Sequence, residues 1–147
     1  MNVLYELREE PDPQSNFVQQ VGMLLNRFEL STGIRSKLNG DAGWPARLSA
    51  ATAYNLFRIV EWALNNVRLH SGAARVDVEL GVIEGGVSLV VRDDGRGMVD
   101  SDASRRPGMG LMDMRERAAL LCGDLDVTSS EGEGTTVTVV VRGLADS

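Results

Sequence analysis

Three groups of residues in this 147-residue chain combine types and spacings that suit chemistry. The first is Asn65-Asn66 with His70. Asn66 and His70 stand one helical turn apart and share a face. An Asn amide oxygen ligates a hard cation such as Mg²⁺, which prefers oxygen ligands and keeps several waters. The same pair also fits an ordinary solvated helix face. The second group, Asp93-Asp94-Gly95-Arg96-Gly97, follows a strand. An acid at a strand end can accept hydrogen bonds from a ligand's amino group, and glycines let backbone approach a flat ring closely. Asp-Gly is equally an ordinary turn dipeptide. The third is Gly108-Met109-Gly110 leading into a helix, where free N–H groups and the positive dipole end suit a phosphate. Arg105 and Arg106 just before it add charge. No Gly-Lys-Ser/Thr occurs, so this is not a Walker-type loop.

The elements that must position these groups follow from periodicity. Residues 1–14 are charged and end in Pro11-Asp12-Pro13, which cannot sit inside a helix; they read as a leader or a cut linker. Ser15 can cap a helix whose apolar positions Phe17, Val21, Leu24 and Phe28 step by helical intervals, with Thr32-Gly33 closing it. Ile34 to Leu38 reads as a short edge strand and residues 39–43 as a loop. A second helix is expected from Ser49 to about Leu69, with Leu56, Val60, Ala63 and Val67 as its buried stripe and Gly72 as its end. Val76, Val78 and Leu80 alternate with Asp77 and Glu79, and Glu84-Gly85-Gly86 turns into the return strand 87–91. Residues 93–110 form a long polar loop, which in a compact domain is usually functional or disordered. A third helix spans Leu111 to Leu121, and two closing strands flank the turn at 130–134. The expected class is α+β: a two-layer α/β sandwich with a mixed five-stranded sheet covered by about three helices, and no internal repeat.

Composition narrows the function classes. Lys and Arg number 15 against 21 Asp and Glu, a net charge of −6, which disfavours nucleic-acid binding through a basic face. The single cysteine, Cys122, cannot form an internal disulfide, so a reducing cytosol is the default. No apolar run approaches the ~20 residues that span a bilayer.

The order of the motifs brings in a family. Tyr54-Asn55-Leu56-Phe57-Arg58-Ile59-Val60, Ala63-Leu64 with Asn66, His70-Ser71-Gly72-Ala73, Asp93-Asp94-Gly95-Arg96-Gly97-Met98, Gly108-Met109-Gly110-Leu111 with Met114-Arg115-Glu116-Arg117, and Gly132-Glu133-Gly134-Thr135 occur in sequence. Over residues 15 to 142 the chain resembles the ATP-binding catalytic domain of sensor histidine kinases. These belong to the superfamily of DNA gyrase B, Hsp90-type chaperones and mismatch-repair ATPases. Within it the likeness is to the subfamily that pairs with NarL-type response regulators.

The resemblance implies a Bergerat-type ATP-binding fold over 15–142, with 143–147 as a tail and a variable lid between 98 and 109. Asp93 would accept the adenine amino group, supported by Thr135. Asn66 would hold the Mg²⁺ of Mg-ATP, with His70 beside it in the nucleotide box. Gly95 and Gly97 would admit the nucleotide, and Gly108, Gly110 and Leu111 belong to the lid over the phosphates. Two registers are open. Asn66 keeps the family spacing around it, but Trp62 then stands where the subfamily has Glu. The carboxylate is one residue earlier, as Glu61, one turn from Asn65. Leu69 stands where Lys is usual. The implied activity is transfer of the γ-phosphoryl group to a histidine on upstream dimerisation helices, which lie outside this chain because its only histidine is His70. A response regulator would follow. The implied location is cytoplasmic, including the cytoplasmic part of a membrane-bound sensor, with no nucleic-acid or membrane contact by this domain. A nucleotide-binding pseudokinase or docking module, and a stand-alone serine kinase resembling anti-sigma factors, are the alternatives.

Overall fold

A computed structural model of the chain describes residues 17–45, 48–95, 109–130 and 132–143. The first helix, α1 (Phe17–Thr32), buries Phe17, Val21, Leu25 and Phe28. Leu25 thus takes the fully buried position expected of Leu24, and Leu24 lies half-buried at the edge of the stripe. Trp44 stacks on Phe17 with ring centroids 5.6 Å apart and closes this end of the core. Strand β1 (Arg35–Gly40) runs two residues beyond the expected end, because Asn39 and Gly40 pair in parallel with Glu79 and Leu80.

Helix α2 (Ala50–Asn66) begins at the cap Ser49, whose hydroxyl accepts the Thr52 N–H at 3.1 Å. Its stripe Leu56, Val60, Ala63 and Val67 is buried as the spacing predicts. The α-helix stops at Asn66 rather than near Leu69. A π-helical turn, Val67–Ser71, follows it and ends at Gly72, whose φ of 64° lies in the left-handed region where a side chain is disfavoured.

Strands β2 (Arg75–Ile83) and β3 (Gly86–Asp93) form the central hairpin. Helix α3 (Met109–Leu120) contributes Met114 and Ala118 to the core. Strands β4 (Asp124–Ser130) and β5 (Gly134–Arg142) complete a mixed sheet of order β1-β2-β3-β5-β4. Only β1 and β2 are parallel, joined through α2.

The sheet has a dry face and a wet one, because successive strand residues point to opposite sides. In register across the dry face lie Leu38, Val78, Val91, Val137 and Val127; the central three are buried and the two edge residues half-buried. The wet face carries Lys37, Asp77, Arg92, Thr136 and Thr128 in the adjacent row. Three helices on one side of a five-stranded mixed sheet make the expected α+β sandwich.

Candidate functional site

Asp93 is the last residue of β3 and pairs with Val76. By alternation it occupies the core-facing side, a position at which β3 otherwise places valine and leucine. Its exposure is only 6%. The Gly95 N–H donates to its Oδ1 at 2.8 Å, and the Thr135 backbone N–H also supports the carboxylate. Burial pushes the Asp93 carboxyl above its ordinary value, the two backbone donors oppose that, and the neighbouring Asp94 adds to it. The Thr135 hydroxyl is engaged elsewhere, 3.1 Å from Ser129 Oγ. Thr135 therefore supports Asp93 through its main chain.

The flanks of α2 separate the two asparagines. Glu61 and Asn65 line a cavity of about 280 Å³ between α1 and α2, with Leu24, Phe28, Leu64 and Arg68. Glu61 is paired with Arg58 at 2.5 Å, and Asn65 Oδ1 accepts from Arg68 at 2.7 Å. One residue further turns the helix by ~100°. Asn66 therefore falls in the stripe of Asn55, Ile59 and Trp62, the flank on which α3 docks through Asn55. Asn66 is half-buried, and its side chain makes no capping bond among the described residues. Trp62 is half-buried, and its Nε1 has no acceptor among the described residues.

Of the remaining expected residues, His70 lies in the π-helical turn directly after Asn66. Such turns recur at functional sites. Gly110 and Leu111 lie in the first turn of α3, and Leu111 packs half-buried against the core. Gly97 and Gly108, with Arg105 and Arg106, lie outside the described residues.

Three contributors were not singled out from the sequence. Gly134 has a φ of 88°, and a Cβ there would stand 2.0 Å from the Asp93 carbonyl oxygen. Only a glycine lets β5 approach the Asp93 backbone this closely. Its Glu-Gly-Glu-Gly setting signals a turn but not the contact. Asp94 reaches back to β2 rather than standing free, accepting from the Ala74 and Arg75 N–H groups.

The third is a clasp between α3 and α2. Arg117 donates through Nε to Asp113 Oδ2 at 2.8 Å and through Nη1 to the buried Asn55 Oδ1 at 3.0 Å, and its guanidinium lies 5.3 Å from the Tyr54 ring centroid. A buried Asn in an apolar helix was the available clue. Arg117→Ala leaves Asn55 Oδ1 without a donor and is expected to cost about 1–3 kcal/mol in urea unfolding. Combining it with Asn55→Ala should cost less than the sum of the two single changes.

The sequence profile described as "Histidine kinase-, DNA gyrase B-, and HSP90-like ATPase" matches residues 52–143. The chain is 36% identical over 120 residues to the sensor histidine kinase MctS of Rhizobium johnstonii, covering 80% of this chain and 26% of that protein. It is 38% identical over 116 residues to the sensor histidine kinase LiaS of Bacillus subtilis, covering 77% of this chain and 32% of that one. The chain thus spans about a quarter to a third of the length of these curated relatives. In three dimensions it resembles the histidine kinase domain of a blue-light activated histidine kinase from Erythrobacter litoralis. That match has a TM-score of 0.75 at 20% identity, over 96% of this chain and 68% of that domain.

Proposed function

Because this chain belongs to the histidine kinase-, DNA gyrase B-, and HSP90-like ATPase family, we propose that it binds Mg-ATP and donates the γ-phosphoryl group to a histidine on a partner helical domain. A response regulator is the next acceptor, and the setting is the cytoplasm. The observation that carries the nucleotide reading is the Asp93 carboxylate, buried at the exit of β3 on the core-facing side and held by two backbone N–H groups. A buried acid that accepts two backbone bonds among the described residues retains acceptor capacity for the exocyclic amino group of a purine.

Asn66 fits a Mg²⁺ whose other ligands are phosphate oxygens and water. A single amide oxygen suffices for such an ion, and no cluster of three or more His, Cys, Asp or Glu offers another metal site among the described residues. Bound there, the ion would neutralise phosphate charge. The protein's own part is positioning: Asp93 fixes the base and Asn66 the phosphate end, while α3 packs on α2 through Arg117 and Asn55. The attacking imidazole and any base beside it belong to the partner domain.

A second reading, nucleotide binding without transfer, is favoured by Trp62 beside Asn66 and by Glu61 being turned toward α1 and paired with Arg58. Two measurements test the metal assignment and separate these readings in turn. In calorimetry with Mg-ATP, Asn66→Ala should weaken binding about tenfold, the loss of one ligand bond, and Asn65→Ala should change it little; the reverse order assigns the metal to Asn65. Phosphotransfer from radiolabelled ATP to the cognate helical domain supports the kinase reading. Binding with no transfer supports the other.

A further inference from the structure

We propose that Asp94 is a positioning residue that fixes the spacing between the base end and the phosphate end of the nucleotide pocket. The assignment rests on the nucleotide-binding reading above. Asp94 follows Asp93 directly as the chain leaves β3. Its Oδ1 accepts from the Ala74 N–H at 2.9 Å and the Arg75 N–H at 3.0 Å, and its own N–H donates to the Arg75 carbonyl at 3.3 Å.

These bonds lie beyond the regular ladder, whose last β2–β3 pair is Val76 with Asp93. The hairpin is held by eight paired positions without them, so their effect is local to the junction that precedes β2. That junction is Gly72 to Ala74, the segment linking the end of the π-helical turn to β2, and the turn itself begins directly after Asn66. The Ala74 carbonyl in turn accepts the Arg35 N–H at 3.0 Å, which carries the constraint to β1. One carboxylate oxygen therefore ties the residue next to Asp93 to the chain that descends from Asn66.

Charge argues the same way. Asp94 sits beside an acid whose ionised form is already disfavoured by burial, and it makes that worse. A second carboxylate at this position is costly unless its oxygen is in use, and here that oxygen holds two main-chain donors.

Two conservative variants separate the position of the oxygen from its charge. Asp94→Asn keeps an Oδ1 acceptor in place without the charge, whereas Asp94→Glu keeps the charge and displaces the oxygen by a methylene. Mg-ATP affinity is read by calorimetry on the whole chain, with amide exchange at Ala74 and Arg75 as the local readout. Asp94→Asn should bind within about threefold of the wild type with both amides still protected. Asp94→Glu and Asp94→Ala should bind about tenfold more weakly, as expected for losing the equivalent of one to two hydrogen bonds, with both amides exposed. Wild-type affinity in Asp94→Glu together with weak binding in Asp94→Asn overturns the proposal in favour of a charge effect. Unchanged affinity in Asp94→Ala also overturns it. No Mg-ATP binding by the wild-type chain overturns the nucleotide reading itself, which none of the variant comparisons alone can do.

Discussion

Asp93→Asn should lose ATP affinity by about one to two orders of magnitude, the worth of a hydrogen bond to a charged acceptor, and should at the same time melt higher than the wild type at neutral pH. The two effects have one cause. Burial pushes the Asp93 carboxyl above its ordinary value, so the empty fold holds that proton more tightly than the unfolded chain does. The resulting penalty on stability is absent below the ordinary carboxylate value. It develops as pH rises from there to the raised value and is complete above it. Asparagine carries no such penalty and retains an Oδ1 for the Gly95 N–H that donates at 2.8 Å. The melting difference should therefore shrink as pH falls below the carboxylate range. Differential scanning fluorimetry across pH and calorimetry with Mg-ATP test both halves. A variant that melts lower at pH 7, or that binds like the wild type, removes the assignment of Asp93.

Gly134→Ala should be among the most destabilising single changes available, costing about 4 kcal/mol or more. The added methyl would stand 2.0 Å from the Asp93 carbonyl oxygen and 2.9 Å from its carbon, at a φ of 88°. Neither obstacle is a flexible side chain that can move aside. Gly132→Ala is the matched control, since its φ of 84° is similar but no atom lies within 4 Å. It should show only the cost of the left-handed backbone, about 1–2 kcal/mol. The difference between the two in urea unfolding reports the contact of β5 with the acid-bearing strand. A Gly134→Ala protein no less stable than Gly132→Ala would show that this contact relaxes freely.

What could be read in advance had local causes. The stripe Leu56, Val60, Ala63 and Val67 and the alternation Val76, Val78, Leu80 encode which side faces the core, and both are buried. Gly72 and Gly33 end their helices at positive φ, as their position predicted. What escaped depended on partners distant in the chain. The extension of β1 through Gly40 requires Glu79 and Leu80 alongside. The π-helical turn after Asn66 has no periodic signature in Val67–Ser71. Arg117 meets Asn55 across 62 residues, and nothing near either residue announces the other. The acid at 93 was legible because a charged residue at the end of an apolar strand is conspicuous. Its neighbour at 94 looked like half of a surface turn, and the oxygen it lends to Ala74 and Arg75 appears only when the two strand ends are seen together.

No helix among the described residues covers the polar side of the sheet, and this has a consequence for how the molecule meets others. Lys37, Asp77 and Arg92 stand in one row with Thr136 and Thr128, and Glu79 and Asp126 in the next with Val90 and Thr138 between them. Cations and anions so interleaved hold their hydration and present no single-sign field. Another macromolecule would have to strip that water for little return.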